Sequence, residues 1–312
     1  MAPPETQLPF ATQTLAFDEA GIARAAELVL GGQPVAVPTE TVYGLAADAT
    51  NAEAVARIYA AKGRPSFNPL IVHVPDLAAA EALGEFGAEA RALAEAHWPG
   101  PLTIVVPARP GNGIAALVTA GLGTIALRVP AHPAIQALLA ACRRPLAAPS
   151  ANASGRISPT RAAHVLASLD GRIALIIDGG ATARGIESTI VAATGGPLRL
   201  LRRGPIEIDA PMSSGGVEAP GMMASHYAPT KPLRLDATEA RDGEFLIGFG
   251  PILGNVNLSE SSDLVEAAAR LFDLLHLADA SDKAKIAVAP IPLQGLGAAI
   301  SDRLQRAAAP RA

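Results

Sequence analysis

Cysteine and long apolar runs are scarce in this sequence, and each scarcity excludes a class of protein. Cys142 is the single cysteine among 312 residues, so neither a disulfide framework nor a cysteine-based metal site can form. No apolar run reaches the roughly 18 residues that a membrane-spanning helix needs. The first ten residues, MAPPETQLPF, lack the charged and apolar regions of a secretory signal. The sequence therefore predicts a cytoplasmic protein without membrane contact.

Common nucleotide and metal motifs are missing as well. The absence of a GxxxxGK[ST] segment excludes a P-loop nucleotide hydrolase. The short pieces Gly121-Leu122-Gly123 and Gly295-Leu296-Gly297 lack the third glycine and the acidic partner of a dinucleotide-binding fold. No residues have the spacing of zinc ligands. The P-loop, dinucleotide-binding and zinc-site classes are therefore excluded.

Positive charge is concentrated in the middle of the chain, although the net charge is only −4. Between residues 97 and 205, eleven arginines stand against three acidic residues. This concentration favours a basic concavity for an anionic ligand over arginines scattered on the surface. Lysine is rare, with four in the whole chain, and Lys62 is the one in the first half. A compact ammonium at that position fits a phosphate contact.

Composition and length predict two domains joined by a linker. Half of the residues are hydrophobic, which is enough for a large core. Pro205 to Lys231 is rich in proline, glycine, serine and methionine without apolar periodicity, as is typical of a linker. We predict an α/β domain over residues 1–208, a linker over 209–232 and a small α/β domain over 233–312.

The stretch from residue 34 to 74 is predicted to contain a strand, a polar turn, a helix and a second strand. The helix ends at Gly63 and Pro65, which are typical helix-stopping residues. Lys62 and Arg64 are then expected on extended backbone, where residues two apart point to the same side. The two cations could thus meet one polyanion, and nucleotide phosphate is the obvious candidate.

A second anion site is expected where an apolar segment ends in the loop PSANASG. Ser158 and Pro159 are predicted to begin a helix that runs to Leu169, with serine as the N-cap and proline at the first position. A polar loop that leads into a helix N-terminus is a geometry that binds anions. An ordinary capped helix without a ligand is the alternative.

Several separated motifs together resemble one family. PTETVYGL, KGRP, NPLIVH and SANASG occur in this order, followed by GTIALRVP, ESTIV, LLRRG, SHYAPTKPL and GLGAAISDRL. The chain resembles the threonylcarbamoyl-AMP synthase family in its long form, in which a YrdC-like domain precedes a C-terminal accessory domain. The resemblance implies that the first domain is catalytic, with a twisted mixed sheet and flanking helices. It also implies that the linker folds back over the active site as a lid, and that the second domain is an accessory domain with a smaller Rossmann-like α/β fold.

The resemblance also implies a reaction. A nucleotidyltransferase of this family forms threonylcarbamoyl-AMP and pyrophosphate from L-threonine, bicarbonate and ATP, for the threonylcarbamoyladenosine modification of tRNA. A carbamate on the threonine nitrogen would attack the α-phosphorus. Because this nucleophile is already anionic, the site needs positioned cations rather than an activated side chain. Mg²⁺ is expected to accompany ATP, bound largely by phosphate and water. Direct contact with tRNA or with a downstream threonylcarbamoyl transferase stays open.

Residue roles follow from the resemblance, position by position. The implied ATP contacts are Lys62, Arg64, Asn68, Thr124, Ser150, Asn152, Ser158, Arg202 and Tyr227, of which Lys62 and Arg64 are also catalytic. The implied L-threonine contacts are Thr41, His73, Arg128 and Ser188, and none of these residues is implied as a metal ligand. A purely structural role is the alternative for each residue taken singly. His73 could be a core histidine, and Arg128 could belong to a structural ion pair.

Two other functions stay open at this point. One is a carbamoyl-adenylate-forming enzyme as in hydrogenase-maturation proteins, although the acylphosphatase and zinc-finger segments of those proteins are missing here. The other is a non-catalytic RNA-binding module, which the basic middle of the chain favours. Such a module would bind tRNA in a salt-sensitive manner without consuming ATP.

Overall fold

The computed structural model describes residues 10–213, 215, 218–220 and 226–310. In the first part of the chain the strands are β1 (Gln13–Ala16), β2 (Val35–Val37), β3 (Gly44–Asp48), β4 (Ile71–His73), β5 (Leu102–Pro107), β6 (Thr124–Arg128), β7 (Leu146–Ala147), β8 (Leu175–Asp178), β9 (Thr189–Ala192) and β10 (Arg199–Arg202). The helices there are α1 (Glu19–Leu30), α2 (Ala52–Lys62), α3 (Leu77–Leu83), α4 (Ala88–His97), α5 (Ala116–Thr119), α6 (Pro133–Cys142) and α7 (Ala162–Leu169).

The ten strands form one mixed sheet in the order β1-β8-β2-β3-β7-β4-β6-β5-β9-β10. Side chains alternate between its two faces. In β2, for example, Ala36 enters a core cluster that contains residues of α2 and α7, while Val35 and Val37 enter a second cluster with residues of α1 and α6. The twisted mixed sheet with flanking helices that the sequence predicted is confirmed.

Helices do not cover the second face completely. Alternation places Ile71 and His73 of β4 on this face, because Val72 between them belongs to the core cluster of the first face. Ile71 packs instead with Ala126 and with Ala219 of the linker. Described linker residues thus contact the part of this face that α1 and α6 leave open, and the cavity described below lies there.

Two expectations about this domain were wrong or incomplete. The helix predicted to begin at Ser158 and Pro159 begins at Ala162, after Arg161 as the capping position. The Ser158 hydroxyl donates to the Glu187 carboxylate at 2.5 Å instead of capping a helix. Strand β3 was missed because its sequence, GLAAD, has no β-branched or aromatic residue. It is a strand because β2 and β7 pair with it on both sides.

The second part of the chain forms a smaller α/β unit, as predicted. Its elements are β11 (Leu233–Arg234), β12 (Glu244–Gly248), β13 (Val256–Asn257), α8 (Leu264–Ala280), β14 (Lys285–Val288) and α9 (Leu296–Ala308). The sheet order is β11-β14-β12-β13, and all three strand pairs are parallel. The two-residue strand β13 was not predicted. The exact domain boundaries stay a prediction. Within the described part of the chain, no helix is long and apolar enough to cross a membrane.

The small sheet unit packs directly against loops of the large one. Ile186 belongs to the same buried cluster as Leu271 and Phe272 of α8. The neighbouring Gly185 has φ of +67°, and a Cβ there would lie 2.3 Å from the carbonyl oxygen of Ala268. A glycine is therefore required at this point of close approach.

A polar cluster, hereafter the histidine clasp (Arg161, His164, Asp273 and His276), joins α7 to α8. The rings of His164 and His276 stack with centroids 3.9 Å apart. Arg161 donates to both carboxylate oxygens of Asp273 at 2.7 and 3.1 Å, and His276 Nε2 lies 3.1 Å from the Ser158 carbonyl oxygen. Burial, and then the adjacent His276, lower the pKa of His164 to about 4.

The clasp predicts pH-dependent stability. Because the folded-state pKa of His164 lies below the ordinary histidine value of 6.5, the unfolded chain binds a proton between pH 6.5 and 4 that the folded chain does not. The free energy of unfolding should therefore fall on acidification, by up to about 1.4 kcal/mol per pH unit from this group. Urea denaturation at pH 7 and pH 5 measures this, and His164→Gln should flatten the dependence. An equal flattening by the control His97→Gln, which lies outside the clasp, would contradict the prediction.

Candidate functional site

A narrow cavity lies on the sheet face that the linker covers. Its walls come from β4, β6 and β10, from the loops after α2, before β3, after β7 and before β9, and from the linker. The lining residues are Thr41, Val42, Arg64, Ile71, His73, Arg128, Ala148, Pro149, Ser150, Glu187, Ser188, Arg202, Pro220, His226 and Tyr227. With the linker in place the cavity encloses about 40 Å³, which is space for a few water molecules and no more.

Arg128 stands at the end of β6, in register with His73 of β4. Its guanidinium donates to Glu40 Oε1 at 2.5 Å, to Thr41 Oγ1 at 3.0 Å and to the Gly100 carbonyl at 3.2 Å. The acceptors of Arg128 thus come from the turn before β3 and from the loop before β5. Only 4% of the Arg128 surface is exposed, so these acceptors replace the water that the cation loses.

The second arginine of the cavity is Arg64, which follows the end of α2. Gly63 adopts a left-handed conformation with φ of +60°, so the expected extended backbone from Lys62 to Arg64 was wrong. Arg64 donates to the carbonyls of Asn68 and Pro69 at 3.2 and 2.9 Å. Burial lowers its pKa to about 10, and the guanidinium therefore stays charged at neutral pH.

Lys62 does not line the cavity but lies behind it, as the last residue of α2. Its ammonium donates to the carbonyls of Ser150 and Asn152, both at 2.5 Å. Burial, and then the charge of Arg64, lower the pKa of Lys62 well below its ordinary value. Lys62 therefore fixes the loop that carries Ser150, and an anion in the cavity would favour its charged form.

The third arginine is Arg202, at the end of β10. It donates to the Ser188 carbonyl and to the Ser188 hydroxyl, both at 3.0 Å, and to the Pro220 carbonyl at 3.3 Å. The Ser188 hydroxyl also lies 2.8 Å from the hydroxyl of Thr103. Arg202 therefore connects the strand edge, the serine and the linker.

His73 is neutral at physiological pH. Burial, and then the charge of Arg128, lower its pKa to about 3. Its Nδ1 is buried and has no hydrogen-bond partner among the described residues. A neutral imidazole in the cavity wall can share a hydrogen bond with a ligand, but it does not add to the positive charge.

The linker returns to the cavity at His226 and Tyr227. Tyr227 has φ of +63°, and its ring lies 5.5 Å from that of Phe272 and 5.6 Å from the Arg303 guanidinium. Arg303 also donates to Glu187 Oε2 at 3.0 Å. The small α/β unit thus holds two residues of the cavity wall in place. Linker residues 221–225 lie outside the described part of the chain.

The structure brings most of the predicted site residues together. Thr41, Arg64, His73, Arg128, Ser150, Ser188, Arg202 and Tyr227 all line the cavity, whereas Lys62, Asn68, Thr124, Asn152 and Ser158 do not. Thr124 lies on the same face of β6 as Arg128, but four residues earlier. Asn152 is buried behind the wall, where its amide donates to the Arg156 carbonyl.

Sequence reasoning missed four residues that build the cavity. Glu40 and Glu187 are buried carboxylates within the motifs PTETVYGL and ESTIV, His226 precedes the predicted Tyr227, and Arg303 lies in GLGAAISDRL. An acidic residue beside a predicted anion site carries charge of the same sign as the ligand, so charge alone argued against Glu40 and Glu187. The ion pairs that explain them are long-range contacts.

The fold and the cation-lined cavity define an α/β protein of the YrdC-like class with a site for anionic ligands. Residues 27–204 match the family model described as "Telomere recombination", and residues 182–309 match the model "Threonylcarbamoyl-AMP synthase, C-terminal domain". The chain therefore belongs to the threonylcarbamoyl-AMP synthase family, and the resemblance seen in the sequence motifs is confirmed.

Individual relatives agree with this assignment over nearly the whole chain. The threonylcarbamoyl-AMP synthase of Bacillus subtilis is 40% identical, with 96% of each chain covered. The synthase of Pyrococcus abyssi is 37% identical, with 93% of this chain and 95% of the relative covered. A crystal structure of P. abyssi Sua5 complexed with L-threonine matches with a TM-score of 0.85 and 35% identity, over 96% of this chain and 97% of that chain.

The position of Lys62 generates a stability prediction. Lys62→Met should lower the free energy of unfolding by about 3 kcal/mol, because the buried carbonyls that the ammonium satisfies would lose their donor. Lys285→Met is the matched control at an exposed position and should change it by less than about 0.5 kcal/mol. Denaturant unfolding of both variants measures the difference, and equal effects would show that Lys62 does not hold the loop.

Proposed function

We propose that the cavity binds L-threonine and ATP side by side and, with bicarbonate, forms threonylcarbamoyl-AMP and pyrophosphate. The observation that carries this proposal is the meeting of three buried arginines at one cavity, on a chain whose relatives are named threonylcarbamoyl-AMP synthases. The relative from P. abyssi described with bound L-threonine supports the amino acid as one ligand.

The amino-acid subsite is proposed around Arg128. Two of its five N–H donors remain after the bonds to Glu40, Thr41 and Gly100. These two N–H groups can donate hydrogen bonds to the carboxylate of an amino acid. The hydroxyls of Thr41 and Ser188 and the unpartnered nitrogen of His73 provide further polar contacts in the same wall. The set of groups suits a small, polar amino acid.

The triphosphate subsite is proposed around Arg64 and Arg202, with Ser150 and Tyr227. The linker must move for ATP to enter, because the closed cavity is far too small for a nucleotide. The Pro220 carbonyl occupies one donor of Arg202 in the closed state, and a phosphate oxygen could replace it. Asn68, Thr124, Asn152 and Ser158 stay predicted ATP contacts that need this opening, and Lys62 acts through the Ser150 loop.

The chemistry follows from placement and charge. A carbamate on the threonine nitrogen attacks the α-phosphorus, and the arginines stabilise the charge that develops on the phosphates. No covalent intermediate with the protein is needed. The Mg²⁺ that accompanies ATP would neutralise part of the triphosphate. Glu187, the acidic residue of the cavity wall, already accepts from Ser158 and Arg303. Phosphate and water are therefore the proposed ligands of Mg²⁺.

The place of this reaction in the cell is also part of the proposal. The product would serve threonylcarbamoyladenosine formation in tRNA, in the cytoplasm, and contact with tRNA or with a downstream transferase stays a prediction. A carbamoyl-adenylate-forming activity would not need L-threonine. An RNA-binding module without catalysis would not need the buried arginines around one closed cavity.

Pyrophosphate release is the direct test of the reaction. We expect release from ATP that requires both L-threonine and bicarbonate, and no release with either omitted. Release with carbamoyl phosphate but without threonine would favour the carbamoyl-adenylate alternative. Absence of release with all substrates and Mg²⁺ present would contradict the proposal.

Two arginine variants test the division into subsites. Arg64→Ala should weaken binding of a non-hydrolysable ATP analogue by about tenfold or more, since a charge-assisted contact is lost, and should leave L-threonine binding nearly unchanged. Arg128→Ala should have the opposite effect. Calorimetric titration measures both affinities, and Arg270→Ala on the exposed side of α8 is the control. The reverse pattern would overturn the two assignments.

A further inference from the structure

Arg128 is the one cavity arginine that has a carboxylate partner in the described part of the chain. Its Nη2 lies 2.5 Å from Glu40 Oε1, and the exposed fractions of the two side chains are 4% and 11%. Glu40 is itself fixed, because its Oε2 accepts from the backbone N–H of Ala131 at 3.1 Å and its carbonyl accepts from the N–H of Arg184 at 2.8 Å. This pair is therefore a rigid, nearly neutral unit.

The other two arginines donate hydrogen bonds only to neutral groups among the described residues, and the nearby Glu187 carboxylate is already paired with Arg303. Arg64 donates to backbone carbonyls of Asn68 and Pro69, and Arg202 donates to two carbonyls and the Ser188 hydroxyl. Neutral acceptors satisfy the donors but leave the net positive charge in place. The cavity is therefore divided into one half with uncompensated charge and one half where the charge is cancelled.

This division solves a problem that three arginines in one small cavity create. A triphosphate is attracted to every uncompensated cation nearby, including one that is needed for another ligand. L-Threonine is a zwitterion with no net charge, and its carboxylate needs well-placed donors rather than net positive charge. An arginine that is held and neutralised by a carboxylate offers donors without attracting a polyanion.

We propose that Glu40 is a positioning and specificity-determining residue: it orients Arg128 and cancels its charge, so that this subsite accepts a zwitterionic amino acid and excludes polyphosphate. The inference rests on the proposed function, since it assumes that Arg128 meets the amino acid. Burial opposes the ionisation of Glu40, but attraction to Arg128 outweighs it and lowers the pKa of Glu40 below its usual value. The charge is therefore present at neutral pH.

The test compares L-threonine binding with and without inorganic tripolyphosphate, by calorimetric titration of the full chain. In the unmodified protein, saturating tripolyphosphate should change the Kd for L-threonine by less than about twofold. In Glu40→Gln it should raise this Kd by about tenfold or more, because the uncompensated Arg128 now attracts the polyanion. The amide keeps the size of the side chain, so the effect reports charge.

A second variant separates charge from position and keeps the test decisive if the first variant folds poorly. Glu40→Asp retains the charge on a shorter side chain. It should weaken L-threonine binding, because Arg128 shifts, and should still exclude tripolyphosphate. The matched control is Glu53→Gln, on the exposed face of α2, which should behave as the unmodified protein.

The outcomes are distinguishable. If Glu40→Gln binds L-threonine with the same insensitivity to tripolyphosphate as the unmodified protein, the inference is wrong. Competition by tripolyphosphate in Glu40→Asp would overturn it as well. If the unmodified protein itself does not bind L-threonine, the proposed function fails, and the inference fails with it.

Discussion

Burial of positive charge is the constraint on which this structure depends. A guanidinium or ammonium removed from water is destabilised by several kcal/mol unless acceptors replace the lost hydration. Here the acceptors are mostly backbone carbonyls of the loops that surround the cavity. Each cation therefore fixes the loop that satisfies it, and each loop fixes the direction of the cation. The loops that form the walls of the site and the cations that give it its charge therefore stabilise each other.

The small α/β unit also stabilises the cavity wall. Glu187 accepts from Ser158 on one oxygen and from Arg303 on the other, and Arg303 is fully buried beneath Tyr227. A carboxylate in the cavity wall is thus balanced by an arginine from the other end of the chain. Removal of the second unit would take away the arginine partner of Glu187 and the Phe272 contact of Tyr227.

Much of the fold could be predicted from local sequence. Strands rich in β-branched residues and the helix capped by Asp18 were found because neighbouring residues determine them. The strand of Gly44 to Asp48 and the true start of the helix at Ala162 were not, since pairing with distant strands and the bond from Ser158 to Glu187 determine them.

The site could be predicted in part for the same reason. Motifs that contain cations and hydroxyls predicted Arg64, Arg128, Arg202 and Ser188 as site residues. The structure places all four at one cavity. The position of Lys62 could not be predicted, because the left-handed Gly63 turns the chain away from the expected extended geometry. The acidic partners were missed because their function is to balance arginines that are distant in sequence.

The division of the cavity between a neutralised and an uncompensated half is most directly tested by a crystal structure with L-threonine and a non-hydrolysable ATP analogue bound together. The account predicts the threonine carboxylate on the guanidinium of Arg128, and the triphosphate oxygens on Arg64 and Arg202. A triphosphate bound to Arg128, or an amino acid bound away from it, would contradict the account.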